Sequence, residues 1–272
     1  MPPLQALSQL DLAARPRLLG VFTDFDGTLT TNDQLVPAAY ERLFRAHQAG
    51  LRTILVTGRP GGYAEVLGNT FAVDAAIAEN GAVAMIRRRT GAHWVLERLY
   101  WDSAEVRHDQ LARLELVIER VRREMPHVKL ADDRWLRKCD IAFDIGETVS
   151  LPKQEIDRLR DCMQAAGARV LISTIHAHAF FGDHDKAAML ERVVAHLWQE
   201  DLASTRDRYV YLGDSPNDQA AFAYFPLSIG VANVRDYAAH LHPPPAYVTE
   251  QPGGAGFAEA IDKILGQGRS PE

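Results

Sequence analysis

Four short apolar runs in this chain each end in a turn crowded with polar residues, and that repetition constrains the fold more than any other feature. Residues 18–23 lead into Asp24-Phe25-Asp26-Gly27-Thr28, and residues 52–57 end in Thr57-Gly58-Arg59-Pro60. Residues 75–78 end in Glu79-Asn80-Gly81, and residues 209–212 lead into Gly213-Asp214-Ser215-Pro216-Asn217-Asp218. Short continuous apolar runs bounded by turn residues suit strands buried on both faces, the condition of a parallel sheet. Helical patterns over 37–49 (closed by Gly50), 63–67, 186–200 and 257–265 separate or follow these strands, together with a further strand at 228–231. Strands alternating with helices predict an α/β fold with a Rossmann-like parallel sheet.

Between residues 83 and 182 the pattern changes. Residues 83–87 and 93–100 read as a hairpin around Thr90-Gly91, and 103–124 as a long amphipathic helix with Leu111, Leu114, Val117, Ile118, Val121 and Met125 on its apolar stripe. A strand at 136–145, a helix at 153–166 and one or two strands over 169–181 complete an inserted α+β unit. The expected division is a core of 1–82 and 183–272 interrupted by a cap of 83–182. Gly253-Gly254-Ala255-Gly256 lacks the form of a phosphate loop and reads as a turn before the last helix, and the residues after it end in a frayed tail, 266–272.

The net charge of −6, from 30 basic and 36 acidic residues, argues against a general affinity for nucleic acid or an anionic membrane. No apolar run reaches the roughly 20 residues of a membrane span, and Asp11 interrupts a first segment without a basic start, so a cytoplasmic protein is expected. Oligomeric state is not legible. Cys139 and Cys162 fit reduced, partly buried thiols rather than a disulfide framework.

The chemistry gathers at strand ends, where open parallel sheets place their ligand crevice. Asp24 and Asp26 follow the first strand, and Asp214 and Asp218 the late one. Clustered carboxylates repel unless a cation joins them, and oxygen-only ligands suit Mg²⁺. A carboxylate can attack phosphorus, and a second one two residues on can protonate a leaving group and then activate water. Thr57-Gly58-Arg59 offers a hydroxyl and free N–H groups at a turn before a helix, a place that suits phosphate. Lys186 opens a predicted helix.

Asp24–Thr28, the turn at 57–59, Lys186 and the run 213–218 resemble the four ordered motifs of the haloacid dehalogenase superfamily, across about 195 residues and with the insertion placed as in subclass IIB. The stretches 140–147 and 172–186 are similar to the sucrose-phosphate and mannosylglycerate-type branch of that subclass. The resemblance implies a Mg²⁺-dependent phosphatase of a small phosphorylated metabolite such as a sugar phosphate. It implies Asp24 as nucleophile, Asp26 as general acid/base, Thr57 as phosphoryl ligand and Lys186 as neutralising charge. Asp214 would hold Mg²⁺ with the Asp24 carboxylate and the Asp26 carbonyl, while Asn217 and Asp218 complete or orient the metal shell. Gly58, Arg59 and Asn80 join the expected substrate-binding set.

In the insertion, Lys138, Asp140 and Asp144 alternate with apolar neighbours, and Thr174, His176 and His178 share one face. Lys138, Asp140, His176 and His178 are therefore candidates to meet the substrate, although a half-solvated sheet shows the same alternation. Two readings compete with the phosphatase: a phosphosugar mutase with the same nucleophile, and a non-catalytic metabolite-binding regulator.

Overall fold

The structure is a computed structural model that describes residues 4–173 and 175–266. Thr174 and the tail from residue 267 on, both given places by the sequence reading, lie outside the described residues. A nine-stranded sheet organises the chain in the order Gln5–Ala6, Tyr247–Val248, Ser228–Gly230, Tyr209–Gly213, Gly20–Asp24, Arg52–Val56, Ala75–Ala78, Val83–Thr90, His93–Tyr100. Every neighbouring pair through Ala75–Ala78 is parallel, and the last two pairings are antiparallel. The fold is thus α/β with a Rossmann-like, mostly parallel sheet.

Helices cover both faces, which is why the central strands are buried and mostly apolar. On one face Val21, Leu55 and Val210 pack with Leu43, Leu67 and Ile261 from the helices Pro37–Gln48, Gly61–Thr70 and Gly253–Gly266. On the other, Phe22, Ile54 and Tyr211 pack with Met189, Leu190 and Val193 of the helix Lys186–Trp198. That helix starts sharply because the Asp185 side chain accepts the Ala188 N–H at 2.8 Å.

A three-stranded antiparallel sheet, Arg169–Ile172, His176–Phe180 and Asp140–Asp144, forms the centre of the inserted unit. Ile141, Phe143, Ala177 and Ala179 point to one side and bury against the helices Ala104–Glu124 and Lys153–Ala165. His176 lies opposite Asp144, and His178 opposite Ala142, on the other side.

Three expectations need correction. The hairpin of Val83–Thr90 and His93–Tyr100 was expected in the cap, yet it extends the large sheet, because the tight turn at Glu79–Gly81 returns the chain antiparallel to Ala75–Ala78 and buries Val83 to Ile86 in both core clusters. The separate sheet and its helices therefore lie between residues 104 and 180, not from 83. The expected strand 136–145 begins only at Asp140. Residues 132–136 form a 3₁₀ turn, and the N–H groups of Lys138, Cys139 and Asp140 bind the Glu79 carboxylate instead of a neighbouring strand. Gly253 to Gly256 form the first turn of the last helix rather than a turn before it, and at Gly254 they pack so closely that a side chain would meet the Leu29 carbonyl at 2.6 Å. Among the described residues no helix is long and apolar enough to cross a membrane.

Candidate active site

The strands Tyr209–Gly213, Gly20–Asp24 and Arg52–Val56 are immediate neighbours in parallel register. Their carboxyl ends therefore set Asp214, Asp24 and Thr57 side by side, although these residues are remote in sequence. Lys186, at the start of its helix, reaches the same point. Its Nζ lies 2.6 Å from Oδ1 of Asp24 and 2.6 Å from Oδ1 of Asp218, and all three side chains are buried.

Asp24, Asp214 and Asp218 bring carboxylate oxygens within 4.8 Å of one another. Burial first, then the repulsion of neighbouring carboxylates, raises Asp24 well above the usual range despite Lys186, and pushes Asp214 up to about 8. Burial opposes the charge on Lys186, but Asp218 and Asp24 more than compensate and hold it firmly protonated. Three buried carboxylates facing one ammonium leave an excess of negative charge that a cation would offset.

The individual oxygens define the fit. Asp214 Oδ2 accepts from Asn233 Nδ2 at 2.8 Å, while Asp214 Oδ1 is buried without a partner. Asp24 Oδ2 has only the long 3.4 Å contact with Thr28 Oγ1. These two oxygens suit a hard divalent cation. Asp218 is differently employed. Its Oδ1 accepts from Lys186 and from Tyr211 Oη at 2.6 Å, and its Oδ2 accepts the N–H groups of Asp214 at 2.9 Å and Ser215 at 3.2 Å. With both oxygens bound, Asp218 fits the orienting alternative and not that of a direct ligand. Asn217 accepts from Ser215 Oγ at 2.8 Å and lines the cleft.

Asp26 sits at the mouth. Arg59 grips it through Nε at 2.9 Å and Nη2 at 2.8 Å, and Thr57 Oγ1 donates to its Oδ2 at 3.1 Å. Thr57 and Arg59, both expected to bind substrate, thus converge on the expected acid/base. Gly58 lies beneath His178, whose Nε2 would stand 3.5 Å from a side chain at that position. A small cavity of about 40 Å³ is bounded below by Asp24, Asp26 and Arg59 and above by His176, His178 and Ser173. The polar side of the cap sheet therefore looks onto the strand ends, not to solvent.

Asp140 and His178 pair on that side with a partner the sequence reading missed. Arg137 Nη1 lies 2.9 and 3.1 Å from the two Asp140 oxygens and 3.3 Å from the Gly58 carbonyl. Burial alone would raise Asp140, but Arg137 and the hydrogen bond from His178 hold it well below the usual carboxylate range. An ionised carboxylate only accepts, so His178 Nδ1, 3.1 Å away, carries the proton and Nε2 is left as an acceptor over the cleft. Burial lowers His178 and keeps the imidazole neutral. His176 Nε2 contacts Glu147 Oε2 at 2.8 Å.

Lys138 does not join the group. It is exposed, lies against Gly61 and stays outside the cavity lining. The cation facing the site is its neighbour Arg137, because the strand begins only at Asp140 and Lys138 lies outside its alternation. Glu79 was also missed. Its Oε1 accepts from Gly61 N at 2.7 Å and Lys138 N at 2.8 Å, and its Oε2 from Cys139 N at 2.6 Å and Asp140 N at 2.9 Å. It pins the cap strand to the core, while burial and the neighbouring Asp140 push it up to about 8. Asn80, beside it in a left-handed conformation (φ 55°), is buried with both amide atoms unpartnered.

The strand-end residues thus sit at the carboxyl edge of a mostly parallel sheet, under an inserted α+β layer. Residues 21–107 match the family model described as haloacid dehalogenase-like hydrolase, which bears out the resemblance read from the motifs. No curated protein matches the sequence. Among solved structures, protein 0175 of Thermoplasma acidophilum superposes with a TM-score of 0.69 at 18% identity, covering 92% of this chain and 99% of its own. The sucrose-phosphatase of Synechocystis in complex with sucrose and phosphate gives 0.64 at 16% identity, covering 92% and 99%. A haloacid dehalogenase-like hydrolase of Bacteroides thetaiotaomicron gives 0.63 at 16% identity, covering 91% and 100%. At these identities the shared property is the fold.

Proposed function

We propose that this chain is a Mg²⁺-dependent phosphatase acting on a small phosphorylated metabolite, a sugar phosphate, through an aspartyl-phosphate at Asp24. The observation that carries the reading is the juxtaposition at one strand end of buried Asp24, Lys186 at 2.6 Å and the unpartnered Asp214 Oδ1. The family match and the sucrose-phosphatase among the structural neighbours support it.

In this reading a carboxylate oxygen of Asp24 attacks phosphorus, and the bond from phosphorus to the leaving oxygen breaks. Asp26, at the mouth, delivers its proton to that oxygen as the alcohol departs. It then removes a proton from water, whose oxygen attacks phosphorus, releases phosphate and restores the Asp24 carboxylate. Asp24 and Asp214 would hold Mg²⁺, which supplies charge to balance the phosphoryl oxygens. Lys186 and Arg59 add fixed positive charge, Thr57 adds a hydroxyl donor, and Asp218 fixes the turn that carries Asp214. Positioning and electrostatics of this kind supply most of the catalysis of phosphoryl transfer.

Asp26 separates this chemistry from a binding-only role, because a binder needs no acid/base placed two residues from the nucleophile. The test is phosphate release from a panel of sugar phosphates, phosphoglycerates and nucleotides, with and without Mg²⁺. Mg²⁺-dependent free phosphate supports the phosphatase. Isomerised sugar phosphate without free phosphate identifies the mutase, and no turnover on any ester leaves a binding protein.

A further inference from the structure

Among the described residues, the buried side-chain polar atoms without a hydrogen-bond partner number five. One is Asp214 Oδ1, and the other four are both amide atoms of Asn80 and both ring nitrogens of His184. Asn80 and His184 are each 2% exposed. Buried polar groups are nearly always paired, and two fully orphaned side chains mark a place where a partner binds.

Both residues line the same cavity. It has a volume of about 240 Å³, against 40 Å³ for the space above Asp24 and Asp26, and it adjoins the first space through Asn217. Lys186 forms part of its wall, which puts it next to the nucleophile. Phe180 and Leu171 from the cap sheet and Pro216 from the core supply apolar surface. His184 lies against the Phe180 ring, centroid to centroid 4.7 Å at 38°, and the Arg169 guanidinium lies 5.2 Å from the same ring.

The chemistry of the orphaned atoms selects a ligand class. The Asn80 amide and the neutral His184 imidazole each present one group that donates and one that accepts. A carboxylate or phosphate accepts only, and would leave Asn80 Oδ1 and the unprotonated His184 nitrogen unpaired. A hydroxyl both donates and accepts. A ring bearing several hydroxyls also has C–H faces that pack on Phe180 and Leu171.

We propose that this cavity is the leaving-group subsite and that it holds a polyhydroxylated ring, with His184 and Asn80 pairing its hydroxyls and Phe180 forming its platform. The assignment rests on the phosphatase reading and adds His184 and Phe180, which no motif marks, to Asn80 in selecting the sugar.

The test has two arms. In the first, kcat/KM is measured for hexose phosphates and for acetyl phosphate, whose leaving group is too small to fill the cavity. His184→Leu and Phe180→Leu are expected to lower the ratio of the two values by about tenfold or more, through KM for the hexose phosphate, and His184→Gln, which keeps a donor and an acceptor, to recover most of it. An unchanged ratio in both leucine variants overturns the proposal, as does a wild-type preference for phosphoglycerate over every hexose phosphate. The second arm uses saturation-transfer NMR on the full chain with unphosphorylated glucose and with glycerate. Transfer to glucose that is lost in His184→Leu and kept in His184→Gln supports the subsite even if no ester is hydrolysed, in which case the phosphatase reading alone fails. Transfer to glycerate and not to glucose, or to neither, overturns the subsite while leaving phosphate release to judge the phosphatase.

Discussion

Lys186 Nζ stands 2.6 Å from Oδ1 of Asp24, although 162 positions separate the two residues in the chain. Only the parallel order of the strands and the sharp start of the Lys186 helix bring them together. The same ammonium also contacts Asp218 at 2.6 Å, so a single buried cation compensates two carboxylates.

Removing that cation is expected to be costly. Lys186→Met leaves Asp24 and Asp218 facing each other in a buried site, which should destabilise the fold by roughly 3–5 kcal/mol. Urea denaturation measures it, and turnover should be lost as well. A cost near zero would show that the carboxylates are compensated elsewhere.

The unpartnered Asp214 Oδ1 leads to a prediction about metal and pH. Folding raises Asp214 to about 8 from an ordinary carboxylate value near 4, so the folded state binds the proton more tightly than the unfolded chain. A raised value gives stability that is present at low pH and lost as pH rises through the window from about 4 to 8. Asp24, raised for the same cause, acts in the same direction. The thermal midpoint in EDTA should therefore fall between pH 6 and pH 8.5. Mg²⁺ should raise it most at the higher pH, and Asp214→Asn should remove most of the Mg²⁺ effect. A midpoint indifferent to Mg²⁺ at pH 8.5 would contradict the assignment of the cluster.

Glu79 ties the core to the first cap strand through four backbone N–H groups. Glu79→Gln replaces one accepting oxygen with an NH₂ that confronts two donors, a loss of roughly 1–3 kcal/mol. Hydrogen exchange should quicken at residues 138–140 before it does so elsewhere in the cap. Uniform exchange behaviour across the cap would mean that other contacts hold this junction.

Gly27 has a positive φ of 73°, and a side chain there would overlap the Asp214 carboxylate. Gly27→Ala should therefore abolish Mg²⁺-dependent turnover and destabilise the fold by about 1–3 kcal/mol, in keeping with strain at a left-handed position. Wild-type activity in this variant would show that Asp214 is free to move.

The strand ends were legible in the sequence because each is local: an apolar run followed by its own polar turn. Asp24, Thr57 and Asp214 could thus be placed at neighbouring strand ends, while Lys186, at a helix start, joined them only through the resemblance of the four motifs. The partners that fix them could not. Asn233 holds Asp214 from 19 residues away, Tyr211 holds Asp218 from inside a strand that reads as plain core, and Glu79 reaches residues 59 to 61 positions on. Nothing local distinguishes such residues from ordinary surface or core positions. Arg137 escaped because a periodicity of two was extended backward over residues 138 and 139, which precede the strand at Asp140, and this favoured Lys138 instead. The 83–100 hairpin was misassigned since alternation reveals a strand but not the sheet it joins.

The account turns on Asp24 as the atom donor to phosphorus, and acid quench during turnover tests it most directly. An acyl-phosphate formed on a carboxylate can be reduced by borohydride, which marks the attacked residue for peptide mass spectrometry. The account predicts that the reduced residue is Asp24, that the mark requires both substrate and Mg²⁺, and that Asp24→Asn shows neither mark nor turnover. Phosphate release that persists in Asp24→Asn, or a mark found on another residue, would contradict it.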